Sequence, residues 1–200
     1  LVFAANLHPK QLYFKMGWQW QEQILKNISS LQLINDKHLP FLLKHGFKNT
    51  SISGDPRFDE VGNKLNNNTE KIKAYIGSKN CLVLGSSWKE EENLVSKHFD
   101  QLKHLAIIIA PHDISEKRIK SIEKRFKDKT IRYSKTKAEI KETNKVLIID
   151  SIGLLAQLYN YSDISFVGGG FSGKLHNILE PASTNNAVLF GPKHQKFFEA

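Results

Sequence analysis

The chain has 200 residues, 40% apolar and 24% charged, enough for one full domain and part of a second, and too apolar for a disordered polymer. A single cysteine, Cys81, set in an apolar run, excludes an intramolecular disulfide framework and a cysteine-rich zinc site, and argues against an oxidising compartment. The net charge of +9 favours anionic partners such as phosphosugars, nucleic acid or acidic lipid headgroups, while no apolar stretch reaches the roughly 18 residues that span a bilayer.

In chain order, the first fifty residues stand apart. Pro9 to Ile28 reads as a helix rich in aromatics, with Tyr13, Phe14, Trp18 and Trp20. The two tryptophans are expected to pack against a part of the protein outside this chain rather than to sit at a membrane interface. A strand at Leu31–Asn35, a short helix to Gly46 and a strand at Ser51–Gly54 follow. Gly54-Asp55-Pro56 then breaks the pattern ahead of a long polar helix. The boundary is placed so that residues 1–52 form an incomplete domain and residues 53–200 an α/β domain.

Beyond that point short apolar runs alternate with helical patterns. Strands are expected at Cys81–Gly85, Leu105–Ala110, Thr130–Tyr133, Val146–Asp150, Ile164–Gly168 and Ala187–Phe190. Helices are expected at Ser87–Leu102, Ser115–Phe126, Ile152–Tyr161 and His176–Asn185. Continuous apolar runs mark strands buried on both faces, and the alternation predicts a parallel sheet flanked by helices. Ser115–Lys145 holds 12 Lys/Arg against 5 Asp/Glu. It reads either as an anion-binding patch or as a solvated helix face. Interleaved aromatics are missing there, so nucleic acid is not expected. Gln195–Ala200 reads as mid-helix, and the chain as a piece of a longer protein.

Open α/β sheets hold ligands beyond the carboxyl ends of their strands, so the residues after each strand matter most. Gly85-Ser86-Ser87-Trp88 leads into Glu90-Glu91-Glu92. This is either an anion cradle or a serine N-cap with glutamates on the helix dipole. Pro111-His112-Asp113 offers a histidine at a strand end, and Asp150 to Leu154 reads as a capped helix start.

The strongest signal is Gly168 to Asn177, where four glycines fall within six residues and precede Lys174, His176 and Asn177. Such a loop admits an anion close to the backbone. Asn177 and Glu180 lie three apart, on one face of the next helix, where a carboxylate accepts both hydroxyls of a ribose. Gly168 to Lys174 also fits the phosphate-loop pattern. Leu175 stands where that motif needs Ser or Thr, so triphosphate hydrolysis is not expected. No spacing suits a metal, and there is no G-x-S-x-G elbow.

Together these segments resemble a known family. Gly54-Asp55-Pro56-Arg57-Phe58-Asp59, Gly85–Trp88, Ala110-Pro111-His112, Asp150–Gly153 and Gly168–Ala182, closing with Phe190–Phe197, are similar in order and spacing to the 3-deoxy-D-manno-octulosonic acid (Kdo) transferases of Gram-negative bacteria. The Asp-Pro-Arg-Phe-Asp form looks most like Bacteroides-type members. The resemblance implies a GT-B glycosyltransferase with two Rossmann-like domains, transferring Kdo from CMP-Kdo to a lipid A precursor (lipid IVA) for lipopolysaccharide. It implies inversion at the anomeric carbon by a glutamate base, without metal or cofactor, at the cytoplasmic face of the inner membrane.

On that resemblance, residues 53–200 are the carboxyl-terminal donor domain and residues 1–52 the end of the acceptor domain and its linker. The catalytic glutamate lies upstream of Leu1, and this piece alone is soluble and inactive. The CMP-Kdo contacts are Pro111, His112, Ile152, Gly153, Leu154, Asn177, Ile178, Leu179 and Glu180, with Glu180 on the ribose. Ser86, Ser87, Gly169, Gly170, Gly173 and Lys174 lie near the phosphate and sugar acid. Three positions depart from the family: His112 stands for Arg, Leu154 for Glu, and Lys174-Leu175 for Gly-Gly. The basic Ser115–Lys145 stretch is the expected contact with an anionic membrane surface. The alternatives are a GT-B transferase using a UDP-sugar and a non-catalytic nucleotide-binding module.

Overall fold

A computed structural model describes residues 1–56, 70–136, 145–197 and 199–200, and the chain divides into two compact units, Leu1–Glu60 and Val61–Ala200. Part of the Asp-Pro-Arg-Phe-Asp motif, the start of the polar helix after it and part of the basic stretch lie outside the described residues.

The first unit is a three-stranded parallel sheet of β1 (Val2–Ala5), β2 (Leu31–Leu33) and β3 (Thr50–Ile52) in that order. The expected helix from Pro9 to Ile28 is replaced by a 3-10 turn at Leu12–Phe14 and α1 at Gln19–Lys26. Gly17, at φ +91°, separates them with a left-handed residue that no helix continues through. The core is Ala5, Leu31, Leu33, Leu42 and Phe47, with Leu42 supplied by α2 (Leu39–Lys44). Trp18 and Trp20 stay outside it, 40% and 59% exposed.

In the second unit six parallel strands lie in the order β6-β7-β5-β4-β8-β9. They are β4 (Cys81–Ser87), β5 (Ala106–Pro111), β6 (Thr130–Arg132), β7 (Val146–Ile148), β8 (Ile164–Val167) and β9 (Ala187–Phe190). Alternate residues feed opposite faces. Cys81, Val83, Ile108 and Leu147 meet Ile72 and Tyr75 of α3 (Glu70–Ile76) and Leu158 of α6 (Leu155–Leu158). Leu82, Leu84, Ile107, Ile109 and Ile148 meet Val95 of α4 (Lys89–Lys97) and Ile119 and Ile122 of α5 (Glu116–Arg125). Burial on both faces is why these strands read as unbroken apolar runs.

Several element ends differ from expectation. β4 runs through Ser87, so neither serine is the N-cap of α4; Trp88 is, without a side-chain cap. The helix after β7 starts only at Leu155 because Gly153 is at φ +91°. The helix after the glycine loop is α7 (Leu179–Ser183), so Asn177 precedes it rather than sharing a face with Glu180. Among the described residues, 195–200 are not helical.

The basic stretch is also partly internal. Arg118 and Arg125 reach back to the Glu92 carboxylate at 2.6 Å each. Arg132 binds Glu116 and Glu123 together, holding both carboxyls below their ordinary range. Three guanidiniums therefore serve the fold, and exposed lysines such as Lys117, Lys120 and Lys124 carry the outward charge.

Candidate functional site

Chain order places the site. From β4 the chain moves to β5 on one side, and later returns to β8 on the other. The crevice beyond the carboxyl ends of β4 and β8 is the topological switch point, where open α/β sheets bind ligands. At its rim β4 bulges between Gly85 and Ser87, and Ser86 takes a left-handed φ of +48°, which costs a non-glycine residue about 1–2 kcal/mol.

The glycine loop is packed against this bulge. A Cβ on Gly168 would lie 2.1 Å from the Ser86 carbonyl oxygen, one on Gly169 2.0 Å from that of Lys174, and one on Gly170 2.4 Å from the Gly191 nitrogen. The Gly169 N–H donates to Glu91 at 3.0 Å. Packing of backbone on backbone thus requires three of the four glycines whether or not an anion binds beside them. Gly173, at φ +75°, and the exposed Lys174 are the open part of the loop.

Glu91 and Glu92 are fully buried and do more than satisfy a dipole. Glu91 also accepts from the Trp88 N–H at 2.9 Å, tying the start of α4 to the glycine loop. Glu92 accepts from the Ser87 hydroxyl at 2.9 Å and from both arginines. Burial pushes its carboxyl up, against the opposing pull of Arg118, Ser87 and Arg125. Ser87 is therefore turned into the fold, while Ser86 is the half-exposed member of the pair.

Three rings meet at the same edge. Trp88 follows β4, His112 follows β5, and His176 closes the glycine loop. Trp88 stacks on His112 with centroids 4.7 Å apart and planes 17° apart, and His112 lies 4.6 Å from His176. The Trp88 indole N–H donates to His176 Nε2 at 3.2 Å, so that nitrogen carries no proton. Burial, and then the neighbouring His112, lower the His176 pKa in agreement. His112 is exposed on the outer side of the cluster, and its N–H donates to the Ser87 carbonyl at 3.1 Å.

The other expected contacts lie at the same carboxyl edge with differing exposure. Pro111 is buried at the end of β5. Ile152 is 89% exposed and a Cβ on Gly153 would meet nothing within 4 Å, so this loop projects outward. Leu154 packs against the core, and Ile178 and Leu179 are buried. Asn177 Oδ1 accepts from the Leu179 N–H at 3.0 Å, and Glu180 is half-buried in the first turn of α7. Among the described residues no three His, Cys, Asp or Glu side chains are grouped to hold a metal. Cys81 is buried, its thiol pushed up to about 12 by burial, which makes it unreactive.

No protein-family model matches the chain. A 3-deoxy-D-manno-octulosonic acid transferase of Rickettsia bellii is 28% identical over 182 residues, 86% of this chain and 43% of that protein. The enzyme of the same name from Chlamydophila psittaci is 32% identical over 118 residues, 57% of this chain and 27% of that one. Among solved structures, the C-terminal CMP-Kdo binding domain of WaaA from Acinetobacter baumannii aligns with a TM-score of 0.55 and 25% identity, covering 64% of this chain and 70% of that domain. The chain is similar to these Kdo transferases and, in fold, to that C-terminal domain. It spans less than half the length of these curated Kdo transferases, and no described helix is long and apolar enough to cross a membrane.

The Kdo-transferase likeness was legible from the ordered motifs, which contain Trp88 and His176 and lead into Glu91. The stacking of Trp88 on His112, its bond to His176 and the tie from Glu91 to Gly169 were not, because they depend on what folds against each residue.

Proposed function

We propose that this chain is the donor-binding domain of an inverting Kdo transferase, holding CMP-Kdo at the carboxyl edge of the six-stranded sheet. The observation that carries this reading is the likeness to a CMP-Kdo binding domain across 64% of the chain. The half-buried Glu180 supports it, a carboxylate suited to accept the hydroxyls of a ribose. Gly153 and the exposed Ile152 are assigned to the nucleotide, with Asn177 offering its amide N–H groups. Ser86, Gly173, Lys174 and His112 are assigned to the phosphate and the sugar carboxylate, and the backbones of Gly169 and Gly170 shape that pocket. The buried Pro111, Ile178 and Leu179 and the half-buried Leu154 set its walls.

In the whole enzyme a hydroxyl of the lipid A precursor attacks the anomeric carbon, and CMP departs with the bonding electrons. The domain's part is to orient the donor and stabilise the charge on the departing phosphate. The base that removes the acceptor proton belongs to a part of the enzyme outside this chain. In this reading residues 1–52 are the end of the acceptor domain, and the exposed lysines after Ser115 face an anionic membrane surface, which a basic protein favours.

Calorimetric titration with CMP, UMP, UDP and ATP tests the assignment. CMP is expected to bind selectively, and Glu180→Ala to weaken it by about tenfold or more at unchanged melting temperature. Preference for UDP would move the chain to another class of donor. CMP binding indifferent to Glu180→Ala would remove the carboxylate from the site.

A further inference from the structure

We propose that the Tyr159 hydroxyl is a further donor-site contact, donating a hydrogen bond to a ribose hydroxyl of the bound cytidine nucleotide beside Glu180; this rests on the cytidine-nucleotide reading above. Tyr159 belongs to the 3-10 turn that follows α6 (Tyr159–Tyr161). Its ring is packed in the core with Leu158 and Val83, and the residue is 1% exposed. Its backbone is fixed too: the Tyr159 carbonyl accepts from Ser162 Oγ and Asn186 Nδ2, each at 3.0 Å.

The hydroxyl itself lies at the strand end. A Cβ on Gly85 would fall 1.9 Å from the phenolic oxygen and 2.8 Å from Cζ. The glycine before the β4 bulge is thus the space into which the tyrosine oxygen projects. No described residue hydrogen-bonds that oxygen. Three side-chain polar atoms are fully buried without a partner, Ser151 Oγ, Gln157 Oε1 and Asn186 Oδ1. The Tyr159 oxygen is not among them, so what little of Tyr159 is exposed includes this oxygen.

A phenol that served only to fill the core would leave its hydroxyl unsatisfied at a cost that phenylalanine avoids. Glu180 is the charged neighbour felt by this phenol. Its charge adds to burial in keeping the proton on the oxygen, so Tyr159 can only donate to a bound group or accept from it. A ribose hydroxyl that gives its proton to Glu180 presents a free lone pair, which Tyr159 is placed to complete. The pair would read the sugar of the nucleotide rather than its base.

Tyr159→Phe removes one oxygen and keeps the ring. The experiment compares the 200-residue chain and this variant in calorimetric titrations with CMP, 2′-deoxy-CMP and 3′-deoxy-CMP, with melting temperatures measured beside them. The expected result is unchanged melting and about tenfold weaker CMP binding, with the variant losing the preference for CMP over one of the two deoxy analogues. Binding of CMP within twofold of wild type, or an equal loss for all three nucleotides, would overturn the inference and leave the donor-domain reading standing. If the wild-type chain itself ignores CMP, the donor-domain reading fails first and the inference with it.

Discussion

Gly168→Ala lowers the stability of the larger unit by about 3 kcal/mol, the upper end of what an overpacked methyl costs. The added Cβ would stand 2.1 Å from the Ser86 carbonyl oxygen, 2.8 Å from its carbon and 2.9 Å from Ser87 Cα. All three are backbone atoms, fixed between Gly85, which pairs with both β5 and β8, and Ser87, which pairs with Pro111, so no side-chain rotation relieves the overlap. Gly153→Ala is the matching control. That residue has the unfavourable φ of +91° but open space around it, so its cost is the conformational one of about 1 kcal/mol. Thermal melting should separate the two variants by several degrees, with Gly168→Ala the lower. Equal melting temperatures would mean that the glycine loop does not pack on the β4 bulge as described.

Glu92→Ala carries a comparable loss, about 3 kcal/mol, for an electrostatic reason. The carboxylate is 0% exposed, and it sits between Arg118 and Arg125, whose side chains are largely covered. Removing it leaves two guanidiniums facing each other and a Ser87 hydroxyl without its acceptor. Glu92→Gln preserves volume and one acceptor oxygen but not the charge, and should fall between wild type and Glu92→Ala. Glu90, exposed in the same first turn, should cost less than about 0.5 kcal/mol on truncation. Denaturant unfolding of the three variants checks this ordering. If Glu90→Ala and Glu92→Ala were equal, the triad would not be a buried one.

Much of the architecture is legible in the amino-acid sequence, and particular residues show why. Cys81–Leu84, Ala106–Ala110 and Val146–Ile148 are apolar at every position because both faces of a parallel sheet are covered, a pattern that survives without knowledge of neighbours. β1 was not recognised: Val2–Ala5 is short and mostly exposed, so it has neither the run nor the alternation of a core strand. Helices were drawn too long wherever a left-handed glycine interrupted them, at Gly17 and Gly153, since apolar periodicity continues across the break.

The strand-end motifs do share one edge of the sheet, as their order implied, while the division of labour among them was hidden. Glu91 and Glu92 are adjacent and alike in sequence. Only the packing of α4 against the glycine loop and α5 assigns one to backbone N–H groups and the other to arginines. The packing constraint on the glycines of 168–170, the close approach of Ser86, Lys174 and Gly191, could not be read from the sequence because it is a long-range contact for two of the three. Gly85 is the same case on a smaller scale, explained by a tyrosine 74 residues later in the chain.

The claim on which the functional account turns is that the carboxyl edge of the six-stranded sheet is a cytidine-nucleotide site. Two-dimensional amide NMR of the labelled chain, titrated with CMP and separately with UMP, tests it most directly. The account predicts saturable shifts from CMP at Gly153, Gly173, Lys174, Asn177 and Glu180 and at the Trp88 indole N–H, with UMP leaving them nearly unmoved. Shifts that are the same for both nucleotides, or that fall in residues 1–52 instead, would contradict it.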